Sequence, residues 1–391
     1  MTTSATTFEE ATTEGLGTLV RLWNHGDTFR NCSGGGCFWM AGNLFHTAVE
    51  SMRRAGLPDT YGIGTEALAY FDGFIPDTAN PRNWRQEYGY WVDDYGWWGL
   101  AFIDAYFVSS ELGYDSSMKE KCAVNAQNCW EALNACWDIS TISWESNGRS
   151  YAINGGIPNT LSSAPLAGRN CVTNECYWRL SAILGDTFGQ HYLDPNANAD
   201  SFFEEAKTQN ILFDGSGLVY ERFLGLPNTQ YPEWTWLGDQ GLFAISCYFN
   251  RQGGSNGFDQ AQAAGTIEAV QTNMKTASGV LHEDLAPYSQ YHLDYACGKG
   301  TFMRSLAYVN DDLHGAFPGD AHYDPYIKFN ATTLWKNRQP GGIFPYYWDA
   351  ESTEPTSWGY SQDTADAVLH AAGLSAINAA LPWMRGEFID A

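Results

Sequence analysis

Basic residues are scarce in this chain. Lys and Arg number 21 against 45 Asp and Glu, a formal net charge of −24 over 391 residues, and charged residues of both signs make up only 17%. A field of that sign repels phosphate backbones and anionic headgroups, so nucleic acid is excluded as a partner. Long hydrophobic runs are also missing. None approaches the roughly 18 residues needed to cross a bilayer, and no membrane span is expected. The opening "MTTSATTFEEATTEGLG" lacks the basic start and apolar block of a secretion signal. Either the protein is cytoplasmic, or it is exported with its signal removed.

Several chemistries lack their residues. There is no Gly-x-Ser-x-Gly elbow, no His-Glu-x-x-His and no dinucleotide fingerprint. The nine cysteines include no Cys-x-x-Cys pair, which argues against a zinc ribbon or a thioredoxin-like site. The eight histidines are scattered, so neither a metal nor a cofactor is expected. Lys299 lies between two glycines in "CGKGTFMRSLAYV". Leu293 stands where a phosphate loop needs Gly, and Gly300 where it needs Ser or Thr, so nucleotide binding is rejected.

Aromatic residues, in contrast, are abundant: 15% of the chain, including 16 Trp and 22 Tyr. A ring-rich, charge-poor surface suits flat amphipathic ligands such as sugars, and a neutral ligand is indifferent to the acidic field. Cys32 and Cys37 bracket "CSGGGC", and Cys171 and Cys176 share that separation. They read as buried thiols or as loop disulfides of an exported protein. Cys122, Cys129 and Cys136 recur every seven residues on one helical face. Asn31 and Asn330 begin glycosylation sequons.

Apolar periodicity predicts an all-α chain, with helices near 8–24, 39–55, 62–72, 94–113, 118–138, 171–190, 199–211, 236–250, 258–277, 291–309, 325–336 and 361–380. Gly, Pro, Asn and Asp clusters such as "NGGIPNT", "DPNANAD" and "NRQPGG" separate them. With no charged linker or low-complexity tract, residues 1–391 read as a single domain, the segment 1–34 being less firmly part of it. Six helical hairpins closed into a toroid would accommodate this count, as would a two-domain bundle.

The stretch "WRQEYGYWVDDYGWWGLAFIDAY" places Asp93 and Asp94 among Trp91, Tyr95, Trp97 and Trp98. Glycoside hydrolysis needs two carboxyl groups at one bond, and at a loop-to-helix junction neighbouring carboxyls can converge on one ligand. The helix start would stabilise one carboxylate, while repulsion and desolvation keep a proton on the other. An N-cap with a first-turn acid is the competing explanation. Asn170 and Asn174 suit a cap or a hydroxyl-binding loop. Trp236, Asp239 and Gln240 at a further helix start combine a ring with amide and carboxylate groups, the materials of a sugar subsite.

These stretches, in this order, resemble glycoside hydrolase family 76, the endo-α-1,6-mannanases. The signature Trp-x-Asp-Asp-x-x-Trp-Trp is matched by Trp91, Asp93, Asp94, Trp97 and Trp98. Arg169, Asn170 and Asn174 look like the family's Lys-Asn-x-x-x-Asn, and Asp214 with Gly215 like its Asp-Gly segment. "TWLGDQG" is similar to Thr-Tyr-Asn-Gln-Gly with Gln240 and Gly241 kept, and Lys299, Gly300, Phe302 and Arg304 echo Phe-Lys-Gly-x-Phe-x-Arg. The match spans roughly 35–380. It departs at the residues before Gln240 and at Gly298, where subsites should lie.

The resemblance implies an (α/α)6 barrel and a retaining mechanism, with Asp93 as nucleophile and Asp94 as acid/base. Trp91, Trp97, Trp98, Asn170, Asn174, Trp236, Asp239, Gln240 and Lys299 are the expected substrate-binding residues. The expected protein is an exported monomer acting on a polysaccharide or oligosaccharide. Three other functions share some of its features: a transglycosylase with the same pair, a non-catalytic glycan-binding protein, and a sugar epimerase. The last would use histidines, and no pair of them stands out.

Overall fold

Thr7 opens the first helix with a reciprocal cap. Its hydroxyl accepts the Glu10 N–H at 3.2 Å while the Glu10 carboxylate accepts the Thr7 N–H at 3.1 Å. The computed structural model describes residues 7–24, 37–159, 169–223, 234–250, 259–284, 292–316, 322–349, 358, 360–387 and 389. Asn31 and Cys32 lie outside them.

Fourteen α-helices occur among the described residues: α1 (Phe8–Asn24), α2 (Phe38–Ala55), α3 (Ile63–Phe74), α4 (Trp84–Tyr88), α5 (Val92–Phe107), α6 (Ser116–Asn134), α7 (Cys171–Phe188), α8 (Leu193–Thr208), α9 (Leu237–Tyr248), α10 (Gln260–Asn273), α11 (His292–Ala296), α12 (Gly298–Ala316), α13 (Asp324–Lys336) and α14 (Gln362–Met384). The all-α expectation holds at this level. One hairpin was not expected: β1 (Thr141–Ser146) pairs antiparallel with β2 (Arg149–Asn154), from Thr141 opposite Asn154 to Ser146 opposite Arg149. Asn147 and Gly148 turn it at φ 52° and 74°, the left-handed pair that a two-residue loop demands. Two boundaries also differ. "DPNANAD" reads as a loop, but α8 begins at Leu193, because Pro195 sits in the first turn where its missing N–H costs nothing. The run expected over 291–309 is two helices that break between Ala296 and Gly298.

The chain divides into two compact units, 1–71 with 107–119 and 274–391, and 72–106 with 120–273. In the first, α14 is the core helix and packs against α1, α2, α12 and α13. It is also long and apolar enough to cross a membrane by length and composition, but 89% of its apolar window is buried inside the protein. Gly300 lets α12 touch it, since a Cβ there would lie 2.7 Å from the Ala372 Cα. In the second unit, α7 packs against α8 and α9, and α9 against α10. Gly96 and Gly99 on α5 meet Cys176 and Leu180 of α7, where added Cβ atoms would come within 2.5 and 2.6 Å of those side chains. This close approach brings the starts of α5 and α7 together.

Among the described residues seven cysteines are thiols outside any disulfide, Cys171 and Cys176 included. Both lie in α7, five residues apart, so they point about 140° apart around its axis and cannot be bridged. Cys37 is disulfide-bonded. Asn330 is wholly buried, with its Oδ1 accepting the Leu281 N–H at 2.7 Å, so its sequon is closed to glycosylation in the folded chain.

Candidate active site

Asp93 and Asp94 occupy the first turn of α5, in the second unit. The helix start is held from outside. Asn159 accepts the Val92 N–H through its backbone oxygen at 3.3 Å and the Asp93 N–H through its side-chain Oδ1 at 3.4 Å. Asn159 is itself fixed through Ile157, whose N–H and C=O are both bonded to the Asn174 amide at 2.8 and 3.1 Å. Arg85 adds a hydrogen bond to the Pro158 oxygen at 3.1 Å. The "NGGIPN" segment, a plain loop in sequence, is therefore the strap that sets the aspartates.

The two carboxyls sit in different surroundings. Asp94 is 1% exposed and its charge faces Tyr90 and Tyr95, pushing both phenols up after burial has done so. Asp93 is half-buried as a residue, yet its Oδ1 is enclosed and accepts no hydrogen bond among the described residues. Burial pushes the Asp93 carboxyl up to about 6. Its own backbone N–H, Trp97 and Asn159 pull it down, and the charge of Glu221 adds to the rise. Glu221 is thus a third carboxylate at the site, facing Asp93. Its backbone ties two strands of the site together, accepting the Cys171 N–H and donating to the Trp234 oxygen, both at 2.8 Å.

The expected substrate-binding residues separate into distinct roles. Trp91 is 54% exposed beside the pair, an open ring face. Trp97 is buried and meets Trp236 edge-on, with centroids 6.2 Å apart. Trp98 is fully buried and stacks on Phe102 one turn along, as core packing. Trp236 is 6% exposed at the N-cap of α9, its ring folded over Gly238, where a Cβ would come within 2.4 Å of it. Asn170 is the N-cap of α7, and its Oδ1 accepts the Thr173 hydroxyl at 2.6 Å.

Asn174 and Gln240 are turned to the backbone rather than to open space. The Asn174 amide serves Ile157 and the Asn170 oxygen. The Gln240 amide takes the Val219 N–H at 2.7 Å and donates to the Val219 and Trp236 oxygens at 2.8 and 3.0 Å. Asp214 likewise closes its own turn on the Ser216 and Leu218 N–H groups. Asp239 is wholly buried and faces the Glu175 carboxyl. Lys299 belongs to the first unit. Its ammonium donates to the Tyr346 oxygen at 2.6 Å and lies 4.0 and 5.2 Å from the rings of Tyr346 and Trp348. Among the described residues no group of three or more His, Cys, Asp or Glu is arranged to hold a metal.

Asn159, Glu175 and Glu221 escape sequence reasoning. The last two could have been flagged as lone acids within apolar helical or strand-like runs, where a charge requires a reason.

No protein-family model and no curated protein matches the chain in sequence. Solved structures do match it in fold. The α-1,6-mannanase GH76A of Salegentibacter superposes with a TM-score of 0.67 at 16% identity, over 95% of this chain and 98% of that one. An inactive variant of it with two consecutive aspartates changed to asparagine, in complex with α-1,6-mannotriose, gives 0.68 at 15% identity over 96% and 99%. Dfg5 of Chaetomium thermophilum, in complex with glucosamine, gives 0.67 at 14% identity over 95% and 90%. The chain therefore shares its fold with solved structures of glycoside hydrolase family 76.

Proposed function

We propose that the protein is a retaining glycoside hydrolase acting on an α-linked, α-1,6-mannan-like polysaccharide or oligosaccharide. The observation that carries this reading is the placement of Asp93 and Asp94 in the first turn of α5, walled by aromatic rings with Trp91 open beside them. Asp93, a carboxylate above about pH 6, attacks the anomeric carbon. Asp94 protonates the departing oxygen and then activates water. Trp91 stacks on a sugar face. Trp97, Asn170, Asn174, Trp236, Asp239 and Gln240 support the site from behind. The inactivity of the Salegentibacter double variant supports the pair as the working groups.

In this reading the helices close as an (α/α)6 barrel and the chain acts as a single catalytic domain, a monomer. The disulfide at Cys37 favours export. A transglycosylase with the same pair is the second reading, favoured by the ring-lined setting in which a sugar hydroxyl competes well with water.

Digestion of a panel of α- and β-linked glycans, read by mass spectrometry, tests the substrate. Products longer than the substrate would identify transfer. With an aryl glycoside, azide should rescue both Asp93→Asn and Asp94→Asn and give azido sugars of opposite anomeric configuration. Wild-type activity in both variants would remove the pair from catalysis.

A further inference from the structure

Glu175 on α7 and Asp239 on α9 are both 0% exposed, and their carboxyls face each other where the two helices pack. Neither Glu175 oxygen accepts a hydrogen bond from an N–H or hydroxyl group among the described residues. An ionised Glu175 would therefore be a buried charge facing a second carboxylate, with no N–H or hydroxyl donor of its own. Two carboxylates in contact in a dry interior repel strongly. A single proton between them turns that repulsion into a short, charge-assisted hydrogen bond.

The pair's neighbours connect it to the site. Glu175 follows Asn174, which clips the strap bearing Asn159. Asp239 precedes Gln240, which clips Val219 two residues before Glu221. Three residues before Asp239 stands Trp236, edge-on to Trp97, whose side chain is hydrogen-bonded to Asp93.

We propose that Glu175 and Asp239 share one proton and act as a positioning pair that fixes the start of α9, with Trp236, against α7. Burial first, and the charge of Asp239 second, push the Glu175 carboxyl well above the usual range. The titratable groups facing the pair are Cys171 on α7 and Cys247 on α9, and Cys171 in turn faces Glu221. Burial pushes both thiols well up, so they stay neutral and add no charge to the pair. The sign of the pH effect follows. The folded chain keeps a proton that the unfolded chain releases in the ordinary carboxylate range, so this contribution to stability falls as pH rises from that range to the raised folded value.

The deciding measurement is thermal unfolding of wild type, Glu175→Gln and Asp239→Asn from pH 5 to 9. Either amide supplies the N–H that replaces the shared proton. Each variant's Tm minus that of wild type should grow with pH. A gap independent of pH in both variants would overturn the proposal. Positioning is read from Glu175→Ala, which should loosen Trp236, weaken the near-UV circular dichroism of the Trp97–Trp236 pair and raise KM several-fold, whereas Glu175→Gln should keep wild-type KM. A Glu175→Ala protein with unchanged spectrum and KM would refute the positioning role. Should that variant not fold, Glu175→Gln and Asp239→Asn still decide on the shared proton. The activity arm rests on the glycosidase reading. If the Tm gap grows while no glycan is cleaved, the glycosidase reading fails and the shared proton stands.

Discussion

The side-chain oxygen of Asn159 accepts the backbone N–H of Asp93 at 3.4 Å, across 66 positions of sequence. A helix usually finds its cap in the residue just before it. Here the residue before α5 is Trp91, which has no side-chain oxygen to offer and leaves its ring in solvent. The cap is delivered by a strap that Asn174 holds in place.

Replacing Asn159 with Ala should therefore act on both structure and charge. Loss of the cap should cost about 0.5–2 kcal/mol in denaturant unfolding. Removal of the Asn159 hydrogen bond, one of the influences lowering Asp93, should move the Asp93 titration upward. Unfolding by urea and the pH–rate profile of the same variant check the two effects separately.

The Asp93 carboxyl, near 6, gives the pH–rate profile a diagnostic sign. As nucleophile it must be ionised, so kcat/KM should rise with pH through about 6 and level off above. A falling limb at the same position would exchange the roles, with Asp93 as the proton donor and Asp94 as the nucleophile.

Two tryptophans at the site should respond in opposite ways. Trp236 is buried, so Trp236→Ala opens a cavity and should cost about 3–5 kcal/mol of stability. That exceeds the roughly 1–3 kcal/mol a stacking contact supplies. Trp91 is 54% exposed, so Trp91→Ala should leave unfolding within about 0.5 kcal/mol of wild type. Its effect should appear as weaker oligosaccharide binding in calorimetry.

Acid stability should depend on Glu50 and His370, both in the first unit. Burial pushes the Glu50 carboxyl up, but Arg53 and Arg54 overcome it and hold it well below the usual carboxylate range. A depressed carboxyl stabilises above its unfolded value, and that contribution is lost as pH falls toward the folded one. Burial lowers His370 to about 4, and its Nε2 is bonded to the Gly15 oxygen. Its contribution is lost as pH falls from 6.5 toward about 4. Glu50→Gln should cost about 3–5 kcal/mol, since the Arg54 side chain is 2% exposed and would keep a buried charge with one partner fewer. Thermal unfolding against pH for wild type and Glu50→Gln checks the depth and the window.

The positions of most helices, and of Asp93 and Asp94 at a loop-to-helix junction, are legible from periodicity and local composition; that both fall inside the first turn is decided by the structure. Those features are local: a 3-4 apolar stripe or a helix start is written within a few residues. The hairpin carries an Asn147-Gly148 turn signal, but its six-residue strands are too short for a clear alternation. The assignments that failed to appear were those between distant residues. Nothing in sequence shows that the Asn174 and Gln240 amides serve Ile157 and Val219, that Cys171 and Cys176 fall on divergent sides of one helix, or that Glu221 faces Asp93. The same Asn or Gln side chain suits a sugar hydroxyl or a backbone group equally well, because both present the same donors and acceptors. Sequence alone determines which groups are present. The packing of α5, α7 and α9 decided which of them meet the pair and which are consumed in holding it.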